Sequence, residues 1–148
     1  MPDLNKPLAL VLLGTLAALA ACNKRETAAE VNADVAKAQT EKTEEVGEAL
    51  KDRSEVVAKT SADAVSADPD DRGDAIEDRA EAAYNVVVTR ADGDRKIAKQ
   101  ACDGMPKASQ SACNKTAEAA YDTAKAQAKM TLDAAKAHSD VVQKQDNK

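Results

Sequence analysis

Few side chains in this sequence can do covalent chemistry: three cysteines, Cys22, Cys102 and Cys113, and a single histidine, His138, followed by Ser139 and Asp140. A thiolate can be alkylated, oxidised to a disulfide or bound to a metal. Ten residues separate Cys102 from Cys113, unlike the Cys-x-x-Cys of a dithiol redox centre, and no further Cys or neighbouring His completes a zinc set. The pair therefore reads as a structural disulfide, without a metal. His138, Ser139 and Asp140 have the residue types of a hydrolytic triad. Consecutive residues on a helix point in different directions, however, and cannot line up as nucleophile, base and orienting acid. They read as a solvated helix surface.

The acidic stretch Asp68-Pro69-Asp70-Asp71-Arg72-Gly73-Asp74 starts like a calcium loop but places Arg72 at the fifth position and Arg79 at the twelfth, where oxygen ligands are needed. Arg72-Gly73-Asp74 spells an integrin tripeptide and Asn114-Lys115-Thr116 a glycosylation sequon; both are short enough to arise by chance. There is no phosphate loop, nucleophile elbow or cofactor fingerprint. The sequence predicts no catalytic activity and no cofactor. Its 21 Lys and Arg are interspersed among 26 Asp and Glu, for a net charge of −5, so no basic patch offers a footprint for nucleic acid.

The elements that position these residues follow from composition. Ala is the commonest residue, Phe and Trp are absent, and the only aromatics are Tyr84 and Tyr121. Ala is the best helix former and buries only a methyl group, so the expected fold class is all-α, with long, thin, amphipathic helices of modest tertiary stability. Residues 26–67 carry a degenerate eleven-residue repeat, with Val35, Val46 and Val57 each opening a segment. Eleven residues make about three turns, which predicts one long helix with these valines on a line and Val31, Ala38, Ala49 and Leu50 widening the stripe beside them. Residues 68–74 are the predicted loop, with Asp74 capping the next helix. Residues 75–143 form the predicted helical hairpin, stapled by Cys102 and Cys113, and 144–148 a tail. Within the hairpin, Ala91-Asp92-Gly93-Asp94 predicts a kink, Gly104 a left-handed helix end, and Pro106 the opening of the final helix, from about Ser109 to Gln143, with Ala117, Ala120, Ala124, Ala128, Ala135 and Val142 along one side. AEAAY occurs twice, ending at Tyr84 and Tyr121; both rings are expected to fill the widest gaps of an Ala seam with their hydroxyls at the rim.

Cys22 ends a segment of another kind. MPDLNK is followed by the apolar run PLALVLLGTLAALAA, too short for a comfortable membrane span and typical of a secretory signal. Leu19, Ala20, Ala21 and Cys22 resemble a lipobox, the processing site of bacterial prolipoproteins. The resemblance implies cleavage before Cys22, a diacylglycerol thioether on its sulfur and acylation of the new amine. Residues 1–21 would then be signal peptide and 22–25 a lipid-anchored linker. Two or more acyl chains hold a protein stably on a membrane. Asn23 lacks the acidic side chain associated with inner-membrane retention, which implies the outer membrane with the chain facing the periplasm.

Three further resemblances bear on function. The segment KQACDGMPKASQSACNKTAEAAYDTAKAQAK is similar to small Ala/Lys-rich envelope proteins of proteobacteria, which carry a Cys pair around a Gly-containing turn; this implies an envelope location and a helical hairpin. The eleven-residue repeat resembles those of late-embryogenesis-abundant chains, which implies a stress protectant, although Arg53 and Glu55 lie near the apolar face. A lipidated Cys and a closing Lys148 resemble Braun-type lipoproteins joined to peptidoglycan, although the sequence ends Gln145-Asp146-Asn147-Lys148 without that family's arginine-lysine pair. The leading expectation is a lipid-anchored structural or interaction protein of the cell envelope. Its partners would be the membrane, through Cys22, and an envelope protein or peptidoglycan, with room for an oligomer.

Overall fold

A computed structural model describes residues 26–144, which form three helices joined by short connections: α1 (Ala28–Lys59), α2 (Pro69–Asp103) and α3 (Lys107–Lys144). The leader, Cys22 and its linker, and residues 145–148 lie outside the described residues. A single 3₁₀ turn, Asp63–Val65, interrupts the α1–α2 connection. The described chain is all-α, a first helix followed by a hairpin whose Cys102 and Cys113 are joined as a disulfide, with Cα atoms 5.8 Å apart. No described helix is long and apolar enough to cross a membrane.

The pairing is antiparallel throughout. Rising numbers in α1 meet falling numbers in α2: Val31 lies beside Gly104, Lys42 pairs with Asp94, Glu45 with Lys96, and Thr60 with Arg79. In the hairpin, Ser139 meets Gly73, Lys136 meets Glu81, and Glu118 meets Arg95. Helix α2 packs along both partners while α1 and α3 scarcely touch. The helices thus stand in a row with α2 in the middle.

Boundaries depart from the sequence expectation where capping wins over composition. Helix α1 starts at a capping box, in which Thr27 Oγ1 accepts from Glu30 N and the Glu30 carboxylate accepts from Thr27 N. It ends at Lys59 rather than 67. There the Thr60 hydroxyl donates to Val56 O, and the Arg79 guanidinium donates to Thr60 Oγ1 (2.8 Å), Thr60 O (3.0 Å) and Val57 O (3.4 Å). These bonds satisfy carbonyls that a further turn would otherwise use. The predicted 68–74 loop is instead the start of α2. Asp68, not Asp74, is the cap, accepting from Asp70 N at 2.9 Å, and Pro69 takes the first helical position, where its missing N–H costs nothing. The breakers that read as a loop are thus helix-start residues, and the hairpin begins at 69 rather than 75.

Two other expectations fail for packing reasons. Helix α2 runs unbroken through Gly93, because that glycine lets α1 approach: a Cβ there would sit 2.8 Å from Lys42 Cβ. Gly104 is right-handed, with φ −71°, and the close approach of Val31 explains a small residue there. The last helix opens at Lys107, two residues before Ser109, directly after Pro106.

The core consists of small side chains. The buried apolar side chains are Ala38, Ala75, Ala82, Val86, Cys102, Ala117 and Ala128, joined by the polar Thr60 and Ser139. The eleven-residue period holds, but its phase differs from the valine line. In α1 the inward line is Ala38, Ala49 and Thr60, three residues on from Val35, Val46 and Val57, and Val57 is exposed. In α3 the buried residues Ala117, Ala128 and Ser139 are also spaced by eleven. Methyl-sized residues let helix axes approach closely, and the valines are left on the flank of the contact.

Candidate functional site

On one face of the row, α1 and α3 flank α2 and leave a cleft of about 810 Å³. Its walls carry Glu45, Glu48, Asp52, Asp78, Glu81 and Asp92 against the cations Arg53, Lys59 and Lys96, with Val56 and Val88 between them and Tyr121 at the α3 edge. The acidic excess follows from the helix period: each helix buries its alanines against the next and turns its charged positions toward the groove beside the contact.

One end of the cleft is tied by an ion-pair network that crosses all three helices. Lys96 of α2 reaches Glu45 of α1 (2.9 Å) and Asp92 one turn back (3.2 Å). Arg95 joins Asp92 (2.6 Å) to Glu118 of α3 (3.1 Å), and Glu118 also takes Lys99 (2.8 Å). The Arg95 guanidinium lies 4.6 Å from the Tyr121 ring centroid, in cation–π range. Tyr121 is therefore a platform for Arg95 at the cleft edge, and it also borders a gap in the Ala seam with Ala91, Ala98, Ala117, Ala120 and Ala124.

The network sets protonation states. Hydrogen bonding to Glu45, and then to Asp92, pushes the Lys96 ammonium above its ordinary value. Lys99 first, and Arg95 second, hold the Glu118 carboxyl below its own. The Arg95 guanidinium is raised mainly by Glu118. A lysine held as ammonium is in the wrong form for a nucleophile. The cleft thus presents fixed charges and hydrogen-bonding groups, an arrangement suited to holding a partner by its charges.

The residues singled out by sequence are dispersed. Cys102 is fully buried at the end of α2, bonded to Cys113 in the first turns of α3, at the opposite end of the hairpin from His138. Ser139 is fully buried and donates to Gly73 O at 2.9 Å. Asp140 is exposed beside Lys144, and His138 points to a different neighbourhood again, the rim of a small pocket between α2 and α3. The three therefore diverge, and Ser139 is an inter-helix contact rather than part of a solvated surface. Cys22 lies outside the described residues.

Sequence reasoning missed the network and the role of Arg79. A signal for the hairpin part existed. Counting outward from an antiparallel Cys102–Cys113 staple places Glu118 within a turn of Arg95, and Lys136 within a turn of Glu81. The α1 partners carried no such signal, because nothing in the sequence fixes the register of α1 against α2.

Compared with protein-family models, curated proteins and solved structures, the chain finds no match in any of the three.

Proposed function

We propose that this chain is a lipid-anchored cell-envelope protein with a structural or interaction role, attached through Cys22 to the periplasmic side of the outer membrane. The observation that carries the reading is Leu19-Ala20-Ala21-Cys22 directly after an apolar run. Cys102 and Cys113, at bonding distance, support it, because such a bridge persists in an oxidising compartment such as the periplasm. The mixed-charge faces and the acidic cleft supply contact surfaces for an envelope partner. The chain acts by position and contact rather than by turnover.

The test is the intact mass of the protein extracted from membranes, with and without reduction and alkylation. A chain starting at Cys22 with added acyl mass, gaining two alkylated thiols only after reduction, is the expected result. An uncleaved or unlipidated chain would overturn the anchor.

The eleven-residue spacing favours a second reading, a stress protectant that orders on membranes or on drying. Close inter-helix packing at Gly93 and Ser139 supports a preformed fold and hence the first reading. Circular dichroism separates the two: cooperative helix loss on heating in dilute buffer supports the interaction role, and a coil that becomes helical only on lipid or dehydration supports the protectant.

A further inference from the structure

We propose that a pocket between the start of α2 and the end of α3 binds a small organic anion with a short alkyl tail. The pocket measures about 270 Å³, just under the ~300–1,000 Å³ of typical small-molecule sites. Arg72, Arg79 and His138 supply its polar lining, Ala75, Ile76 and Val142 give it an apolar floor, and no carboxylate is among its lining residues. In a chain with a net charge of −5, a pocket lined by two guanidiniums and the imidazole, without a carboxylate, is a departure that suits an anion.

The surroundings strengthen the argument. Arg72 Nε is buried and, among the described residues, has no hydrogen-bond partner, so no protein acceptor takes up that donor of the guanidinium. Arg79 is held in place by its bonds to Thr60 and Val57 O, which also take up the negative end of α1. Of the acids in this region, Asp71 accepts from Ser66, Asp74 accepts from Gln143, and Asp140 stands beside Lys144. A guanidinium fork matches a carboxylate, and the floor below it offers only methyl and methylene groups. A carboxylate on a short chain satisfies both parts. The inference does not depend on lipidation of Cys22.

His138 is the only histidine, so its ring resonances report on the pocket without assignment by mutation. The experiment titrates the full chain with octanoate below its micelle concentration, alongside octanol, inorganic phosphate and anionic phospholipid vesicles. Octanoate is expected to shift the His138 signals saturably. Octanol should give no saturable shift, phosphate should bind at least tenfold more weakly, and vesicles should leave the signals in place. Arg72→Gln, shown folded by circular dichroism, should weaken octanoate binding at least tenfold, with Lys129→Gln on the exposed face of α3 unchanged. Should Arg72→Gln not fold, His138→Gln read by calorimetry replaces it, and a loss of at least threefold is expected. Absence of saturation, octanol or phosphate matching octanoate, a shift with vesicles alone, or variants that bind like the parent would each overturn the proposal.

Discussion

Reducing the Cys102–Cys113 bridge is the perturbation with the clearest expected magnitude. The two residues are eleven apart in sequence, and closing a loop of that length in the unfolded chain corresponds to about 3 kcal/mol in the chain-entropy model. The weight of this increment comes from the rest of the core. Of the described core residues Ala38, Ala75, Ala82, Val86, Cys102, Ala117 and Ala128, only Val86 exceeds Ala or Cys in size, and at ~0.8 kcal/mol per buried methylene the staple matches about four methylene groups. For a domain of this length the melting temperature should fall by on the order of 10 °C on reduction. The assay is thermal unfolding by circular dichroism, with and without reductant, on the parent and on the Cys102→Ala/Cys113→Ala double variant. Reduction leaves both sulfur atoms in place and so isolates the covalent constraint; the double variant adds the loss of packing by the fully buried Cys102 and should be indifferent to reductant. A melting temperature unchanged within about 2 °C on complete reduction would refute the argument that the staple compensates for a thin core.

Two glycines inside helices should respond oppositely to alanine: Gly47→Ala, where an added Cβ meets nothing within 4 Å, should stabilise by about 0.5–1 kcal/mol. Gly93→Ala, where the Cβ would press on the Lys42 side chain, should destabilise by about 1–2 kcal/mol despite the same propensity gain, and denaturant midpoints check both. Ser139→Ala removes the buried hydroxyl bond to Gly73 O and should cost about 1 kcal/mol, whereas Ser139→Leu should cost more by forcing α2 and α3 apart, again read from denaturant midpoints. The Glu118 carboxyl is held below its ordinary 4.5 by Lys99 and Arg95, so its contribution is present above that value and lost as pH falls through the lower folded-state value. Melting temperature should therefore decline below about pH 4.5, less steeply in Glu118→Gln. The contribution of Lys96, raised above 10.5 chiefly by Glu45, is present below that value and should fade as pH climbs beyond it.

Sequence made the all-α class and the hairpin legible because both rest on local quantities: alanine content, the spacing of Cys102 and Cys113, and Gly104 with Pro106 at the turn. The period of the packing lines was legible too. The phase was legible in α3, where Ala117 and Ala128 lie on the expected line, and only in part in α1, where Ala38 and Ala49 were expected beside the valine line rather than at its centre: valine outweighs alanine on any hydropathy measure, while close helix approach selects the smaller residue. Ala38 and Ala49 therefore face α2, and Val57 stands exposed. Asp68, Pro69 and Gly73 were misread for a related reason: the same residues that break a helix in its middle begin one when their first N–H groups find a cap. Arg79, Arg95 and Glu118 were invisible as a set, since ion pairs across helices depend on register, and only the staple hinted at it.

That dependence explains how a chain so short of large side chains settles on one arrangement. Contacts between alanine faces are nearly uniform along a helix, so sliding by a turn would change the buried apolar area little. The groups that do not repeat must fix the alignment. Between α2 and α3 these are the Cys102–Cys113 bridge at one end and the Ser139–Gly73 contact at the other. Between α1 and α2 they are Arg79 on the carbonyls of α1, Lys42 against Asp94 beside Gly93, and Lys96 on Glu45. Exposed ion pairs contribute little each to stability, yet a slipped register would break all of them together and set a larger residue than Gly93 against Lys42. In this fold the methyl groups supply the attraction, and the sparse polar and covalent links choose where along the helices it acts.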